Sequence, residues 1–261
     1  MSDLRDWILG LPALGQYTFT AEEARKRQPA LSAASTNAAL ARAEAAGLIL
    51  TPVRGFHVVV PLEDRGIGAP SWRIFLDPMM AHLSLPYYVG LLTAAAQHGA
   101  SPQAGQVTQV VVPRQRRPID VGRGRIEFVV CHDMASAPTE LVNAPSGRYR
   151  MATPELTALD LVRYSSRAGG WGNVMSVLRD LAPALRRSHF RPVLATEPAA
   201  ADIARLGYLL EQLGAADAAA PLHRWIEARP ESWVPLVPGS GRVGVRDPRW
   251  RTVVNESIEA D

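Results

Sequence analysis

The chain has 261 residues, 47% of them hydrophobic, which suits one large or two medium domains with buried cores. Its formal net charge is only +3, no apolar run is long enough to span a bilayer, and the N-terminus has no basic segment followed by an apolar stretch. Cys131 is the single cysteine, so an internal disulfide is excluded and a reducing compartment is expected.

Residues 2–11 read as a short helix with Leu4, Trp7, Ile8 and Leu11 on one face, broken by Pro12 and Gly15. Thr20 is placed to cap a second helix, with Glu22 and Glu23 in its first turn and Arg25, Lys26 and Arg27 at its end, both favourable to the helix dipole. Pro29-Ala30-Leu31 is a turn. Ser32 then caps an alanine-rich helix that stops at Gly47, with Ala33, Thr36, Leu40 and Ala43 on the inward face and Ser35, Ala38 and Arg42 opposite. Leu48-Ile49-Leu50 and Phe56–Val60 read as strands joined by a turn over Pro52–Gly55. Helix, turn, small-faced helix and β-ribbon within some sixty residues describe a winged helix-turn-helix, and residues 1–65 are assigned to it.

Glu63 to Pro70 reads as a linker. Beyond it the pattern predicts a strand at Trp72–Leu76 and a helix at Asp77–Leu83. A stronger helix starts at Pro86 and ends near Gly99. Strands follow at Gln106–Pro113, at Arg125–Cys131 (paired with the previous one across an arginine-rich turn) and at Gly147–Ala152. Thr153-Pro154-Glu155 opens a helix to Tyr164, and further helices are expected at Gly172–Leu181, Ala200–Leu213 and Asp217–Ala228. A short strand closes the chain at Trp250–Val254. The fold class is therefore mixed α/β (α+β), a winged helix-turn-helix followed by a larger α+β domain at 66–261.

Charge placement says more than its sum. Residues 1–65 carry seven basic and seven acidic groups, and residues 151–261 carry thirteen of each, so the excess lies in between. There Arg114, Arg116, Arg117, Arg123 and Arg125 gather around a single acid, Asp120, as a contact for phosphate or an acidic partner. A solvated hairpin tip explains the same residues without a function.

The segments PYYVGLLTAAAQHGA (86–100), QVVVPRQRRPI (109–119) and MATPELTALDLVRYSSRAGGWGNVMSVLRDL (151–181), in this order, resemble the AbiEi-type antitoxins. GYLLEQLG (207–214) and the closing RWRTVVNESIEAD (249–261) are similar to that family's C-terminal segments. The resemblance implies a prokaryotic antitoxin of a two-gene AbiE (type IV) toxin–antitoxin system. It implies a winged helix that binds an inverted-repeat operator and represses the promoter, and a larger domain that counteracts a co-encoded nucleotidyltransferase-like toxin. Two copies pairing on the double-stranded DNA follow from the inverted repeat. No cofactor, metal or membrane partner is implied.

The residues matched to DNA contact are Lys26 and Arg27 ending the second helix, Ser32, Ser35, Thr36 and Asn37 at the start of the third, Arg42 further along it, and Arg54 in the wing turn. Thr36 turns inward on the wheel. The balanced charge of residues 1–65 leaves room for the alternative of a winged helix that binds protein and not DNA. Catalysis has little to stand on. The six histidines are scattered, and the chain has no HExxH, CxxC or GxSxG motif. Cys131-His132-Asp133 are neighbours on a strand end, so their side chains alternate between faces. Asp120 and Glu127 could suggest a metal nuclease, but Val129 stands where that pattern places a lysine, and Glu127 is read as structural.

Overall fold

The computed structural model describes residues 4–66, 68–100 and 106–258, so the first two residues of the expected N-terminal helix, and Ile67 of the expected linker, lie outside it. In chain order the elements are α1 (Leu4–Gly10), β1 (Thr18–Thr20), α2 (Ala21–Arg27), α3 (Ala33–Ala45), β2 (Ile49–Val53), β3 (Phe56–Val59), α4 (Trp72–His82), β4 (Tyr88–Val89) and α5 (Leu91–Gln97). They continue with β5 (Val107–Val112), β6 (Ile119–Val121), β7 (Gly124–Val130), β8 (Thr139–Ala144), β9 (Gly147–Ala152), α6 (Pro154–Arg163) and α7 (Trp171–Leu181). The chain ends with α8 (Phe190–Leu194), α9 (Ala200–Gln212), α10 (Ala216–Glu227), β10 (Val234–Pro235), β11 (Val245–Asp247) and β12 (Thr252–Val254). This is a mixed α+β fold. Two compact units divide it, one of residues 1–88, 106–132 and 141–150, the other of 89–105, 133–140 and 151–261.

In the first unit, α1, α2 and α3 pack around Leu4, Ile8, Leu11, Phe19, Ala24, Leu40 and Ala43, closed by Leu48, Ile49 and Val59. An isolated 13-residue helix such as α3 is marginal in water, even when rich in alanine. Docking of Leu40, worth about 2 kcal/mol, therefore decides both that α3 forms and which face it shows. Strands β1, β3 and β2 form an antiparallel sheet in that order. The element order and hydrogen bonding are compatible with a winged helix-turn-helix. Strand β1 has no strong periodicity over its three residues, and the sequence had shown only a lead-in to α2 there.

Trp72–Leu76 is not a strand. It is the first half of α4, and Asp77–His82 is the second. Burial of Ile74, Phe75, Leu76, Met79 and Met80 leaves α4 with too few polar positions for a helical period to be read, and Pro78 argues for a break. The helix passes through Pro78 because the Ser146 hydroxyl donates to the Ile74 carbonyl, the acceptor that proline cannot serve. The Tyr87 hydroxyl donates to Asp77 at 2.9 Å and accepts from the Arg150 amide at 3.3 Å, and burial pushes the phenol well above its ordinary pKa. The helix expected from Pro86 is instead the short strand β4 followed by α5, with extended Gly90 as N-cap (φ −132°). Aromatic and β-branched Tyr88-Val89 suit a strand, and the alanines that suggested a long helix fill only its second half.

The VVV strand and its partner are parallel, not a hairpin: Val107–Val112 of β5 run alongside Arg125–Val130 of β7. Strand β6 intervenes and makes the hairpin with β7 across Gly122-Arg123. Gly122 has φ +57°, and a Cβ there would press on the backbone of Gly68 and the Ala69 methyl.

In the second unit, α6 is buried on nearly every side and packs against α5, α7, α8 and α9. Thr153 caps it, accepting from the Leu156 amide at 3.3 Å, and Pro154 takes the first position as the sequence indicated. Its buried Glu155 accepts the Arg186 amide at 2.8 Å, and Asp160 lies 3.8 Å from Arg163 one turn on, an i, i+3 pair. His98 caps the end of α5, with Nε2 donating to the Ala152 carbonyl at 2.9 Å. Helix α8 was not expected, since five residues are too few for a period to show. No helix among the described residues is long and apolar enough to cross a membrane.

Candidate nucleic-acid interface

Helix α2 starts on a reciprocal cap. The Glu23 amide donates to Thr20 Oγ1 at 3.2 Å, and the Thr20 amide donates to the Glu23 carboxylate at 2.6 Å. That carboxylate is thereby occupied with its own helix. Helix α3 starts on Ser32, whose Oγ accepts the Ser35 amide at 3.1 Å and lies 2.9 Å from Ser35 Oγ. Ser32 is thus the cap that orients α3, and its hydroxyl is engaged in that role.

Thr36 corrects the expected contact set. It is fully buried and its hydroxyl donates to the Ser32 carbonyl at 3.2 Å, so its side chain offers nothing to a duplex. Ser32, Ser35, Asn37 and Arg42 are all exposed, as are Lys26, Arg27 and Arg54. Lys26 pairs with Glu22 at 2.7 Å, a solvent-screened i, i+4 contact that is readily exchanged.

The centre of the outward face of α3 is a ridge of exposed alanines, Ala34, Ala38, Ala41 and Ala45. By helical spacing, Ser35 and Arg42 share one flank of the ridge, while Asn37 and Glu44 share the other. Ala33, expected inward, is exposed because it belongs to the first turn, beyond the reach of the core.

The wing is a tight hairpin in which Val53 faces Phe56 across Arg54-Gly55, with Gly55 at φ +78°. Its turn is fastened. His82 Nε2 of α4 donates to the Arg54 carbonyl at 3.2 Å, and the His82 ring lies 5.5 Å from that of Phe56. The Arg54 guanidinium is left in solvent at the tip.

Behind the wing, His57 is buried and stacks on Phe19 at 5.2 Å, with Nδ1 3.1 Å from the Thr51 hydroxyl. Burial pushes its imidazole below the ordinary value of 6.5. A histidine held neutral in the fold takes up a proton on unfolding, so its contribution is present above about pH 6.5 and fades as the pH falls below it. Urea melts at pH 7.5 and 5.5 are expected to show a smaller acid loss in His57→Phe than in the native chain. An equal loss in both would exclude His57 as the cause.

The five middle arginines do not form one patch. Arg114 follows the C-terminal end of β5, whereas Arg125 is level with its start at Val107, and Arg117 lies between them in the chain's return to β6, whose Ile119 pairs with Ile126. At a strand rise of about 3.3 Å per residue, these two ends are roughly 16 Å apart. Arg125 is also engaged, 2.9 Å from Asp120 and 3.5 Å from Glu127, which accounts for both carboxylates of the suspected nuclease pair. Arg123 remains exposed at the hairpin tip. His132 Nδ1 donates to the Pro113 carbonyl at 3.0 Å. Among the described residues, no three His, Cys, Asp or Glu side chains converge to hold a metal.

Residues 88–212 match the family described as the AbiEi antitoxin C-terminal domain. Among solved structures, the chain is similar to the crystal structure of the RV2827C protein from Mycobacterium tuberculosis, with a TM-score of 0.67 over 95% of this chain and 89% of that one. At 15% identity this is a likeness of fold alone. No curated protein matches the chain.

Proposed function

Residues 88–212 carry an AbiEi-type antitoxin domain, and from that premise we propose that the chain is a DNA-binding antitoxin. In this reading a winged helix at residues 1–65 represses the promoter of its own toxin–antitoxin operon from an inverted-repeat operator. Residues 66–261 counteract the co-encoded toxin, of the nucleotidyltransferase-like kind, and the protein works without a cofactor in the cytoplasm.

The observation that carries the DNA reading is the outward face of α3. A ridge of four alanines brings backbone close to base edges, and its methyls suit thymine methyls in a major groove. Ser35 and Arg42 on one flank suit phosphate, and Arg54 stands on a wing whose turn is tied down.

The test is binding to the upstream intergenic duplex, followed by fluorescence anisotropy at several salt concentrations. Affinity falls steeply with salt, and more so for the inverted repeat than for a scrambled duplex. Arg54→Ala lowers the slope of log K against log salt by about 1, with a loss of roughly fivefold at 0.15 M salt on every sequence. A slope near zero for the native chain would favour a protein-interaction winged helix, for which the balanced charge of residues 1–65 speaks. The antitoxin half is tested separately, by whether co-expression restores growth of cells carrying the neighbouring toxin gene.

A further inference from the structure

A groove of about 340 Å³ runs between α1 and α3, and Arg5 and Arg42 stand on its rim. Both guanidinium groups are exposed, and neither has a hydrogen-bond or ion-pair partner among the described residues. Among the described residues, none that lines the groove carries a carboxylate. Its floor includes Leu4, Ile8, Ala43 and Leu48, which are already 3%, 0%, 8% and 6% exposed. An amphipathic peptide would therefore find little apolar surface left to cover beyond the side chains of Ala39 and Ala46, at about 25 cal/mol per Å² of new burial. What the groove offers is charge, from two cations with no ion-pair partner among the described residues.

The flank of α3 that faces this groove is the one with Ser35 and Arg42, whereas the far flank carries Glu44, which repels phosphate. We infer that Arg5 is a DNA-backbone contact, joining Arg42 to grip phosphate along the α1 side of α3. This rests on the DNA-binding reading above and adds a residue outside the helix-turn-helix and wing. Two guanidinium groups around one phosphate give charge-assisted hydrogen bonds and fix the roll of α3 in the groove, while carrying no base preference themselves.

The experiment compares native protein, Arg5→Ala and Arg5→Lys on the operator duplex and on a scrambled duplex across a salt series. Arg5→Ala lowers the magnitude of the salt slope by about 1 and weakens both duplexes by roughly fivefold at 0.15 M salt. Arg5→Lys keeps most of the slope, since the charge is retained. Arg5 is exposed, so both substitutions leave the fold intact, which circular dichroism melts of the three proteins check. An unchanged slope in Arg5→Ala, as a groove for an acidic protein segment would give, overturns the inference while leaving the repressor reading intact. A loss confined to the operator overturns it too, because it would make Arg5 a base reader. If native protein binds neither duplex, the repressor reading itself has failed and this inference with it.

Discussion

Gly207→Ala is expected to destabilise the protein by about 3 kcal/mol, although alanine is the better helix former by about 1 kcal/mol. Gly207 lies in the middle of α9, and a Cβ added there would fall among the ring atoms of Trp250. The indole has nowhere to go. Trp250 is fully buried, its amide donates to Asp247 at 2.9 Å, its Nε1 donates to the Glu211 carboxylate, and the His223 ring meets it edge-on at 5.4 Å. A close-packed interior gives way only by displacing such neighbours. Urea unfolding checks the magnitude, and Trp250→Phe in the Gly207→Ala background separates the cause. The smaller ring costs stability alone but relieves the clash in the double variant, so the two changes should be strongly non-additive. If Gly207→Ala melts with the native chain, α9 and the closing strand do not pack as described.

Ala38→Glu is expected to abolish operator binding, with a loss of about 100-fold, while leaving the melt unchanged. The side chain is exposed at the middle of α3, and glutamate is a good helix former, so the fold has no reason to suffer. In a major groove, however, a carboxylate at the crest of the ridge would meet base acceptors and two rows of phosphates. Such like-charge placement costs several kcal/mol. Ala38→Gln, of the same size but neutral, should lose less, which divides charge from bulk. Undiminished affinity of Ala38→Glu would mean that α3 is not the element in the groove, and the protein-interaction reading would then gain.

Short helices with strong punctuation were legible in the sequence. Ser32 and Gly47 bound α3, Thr153-Pro154 opens α6, and Leu40 and Ala43 face inward as the wheel places them. What escaped was whatever depends on a distant residue. Trp72–His82 reads as strand and then helix until Ser146, far along the chain, supplies the donor that Pro78 lacks. The parallel course of β5 and β7 was hidden because a strand pattern has no direction, and the inserted β6 has only three residues. Nearness in sequence does not make the arginines one cluster in space, because the length of β5 separates Arg114 from Arg125. Of the contact set, Thr36 was visible as inward, and the structure removes it. Arg5 was not visible at all, since nothing in the spacing of α1 says which side of α3 it will stand beside.

The tether from His82 to the Arg54 carbonyl has a thermodynamic consequence. A free two-residue loop tip that must be ordered on contact gives up about 1–2 kcal/mol of backbone entropy per residue. Held in place beforehand, Arg54 and Gly55 have surrendered that freedom during folding, so it is not deducted from the affinity for a ligand. Only the side chain of the arginine is then left to be ordered on contact, and the point of the wing from which it reaches is set before any ligand arrives.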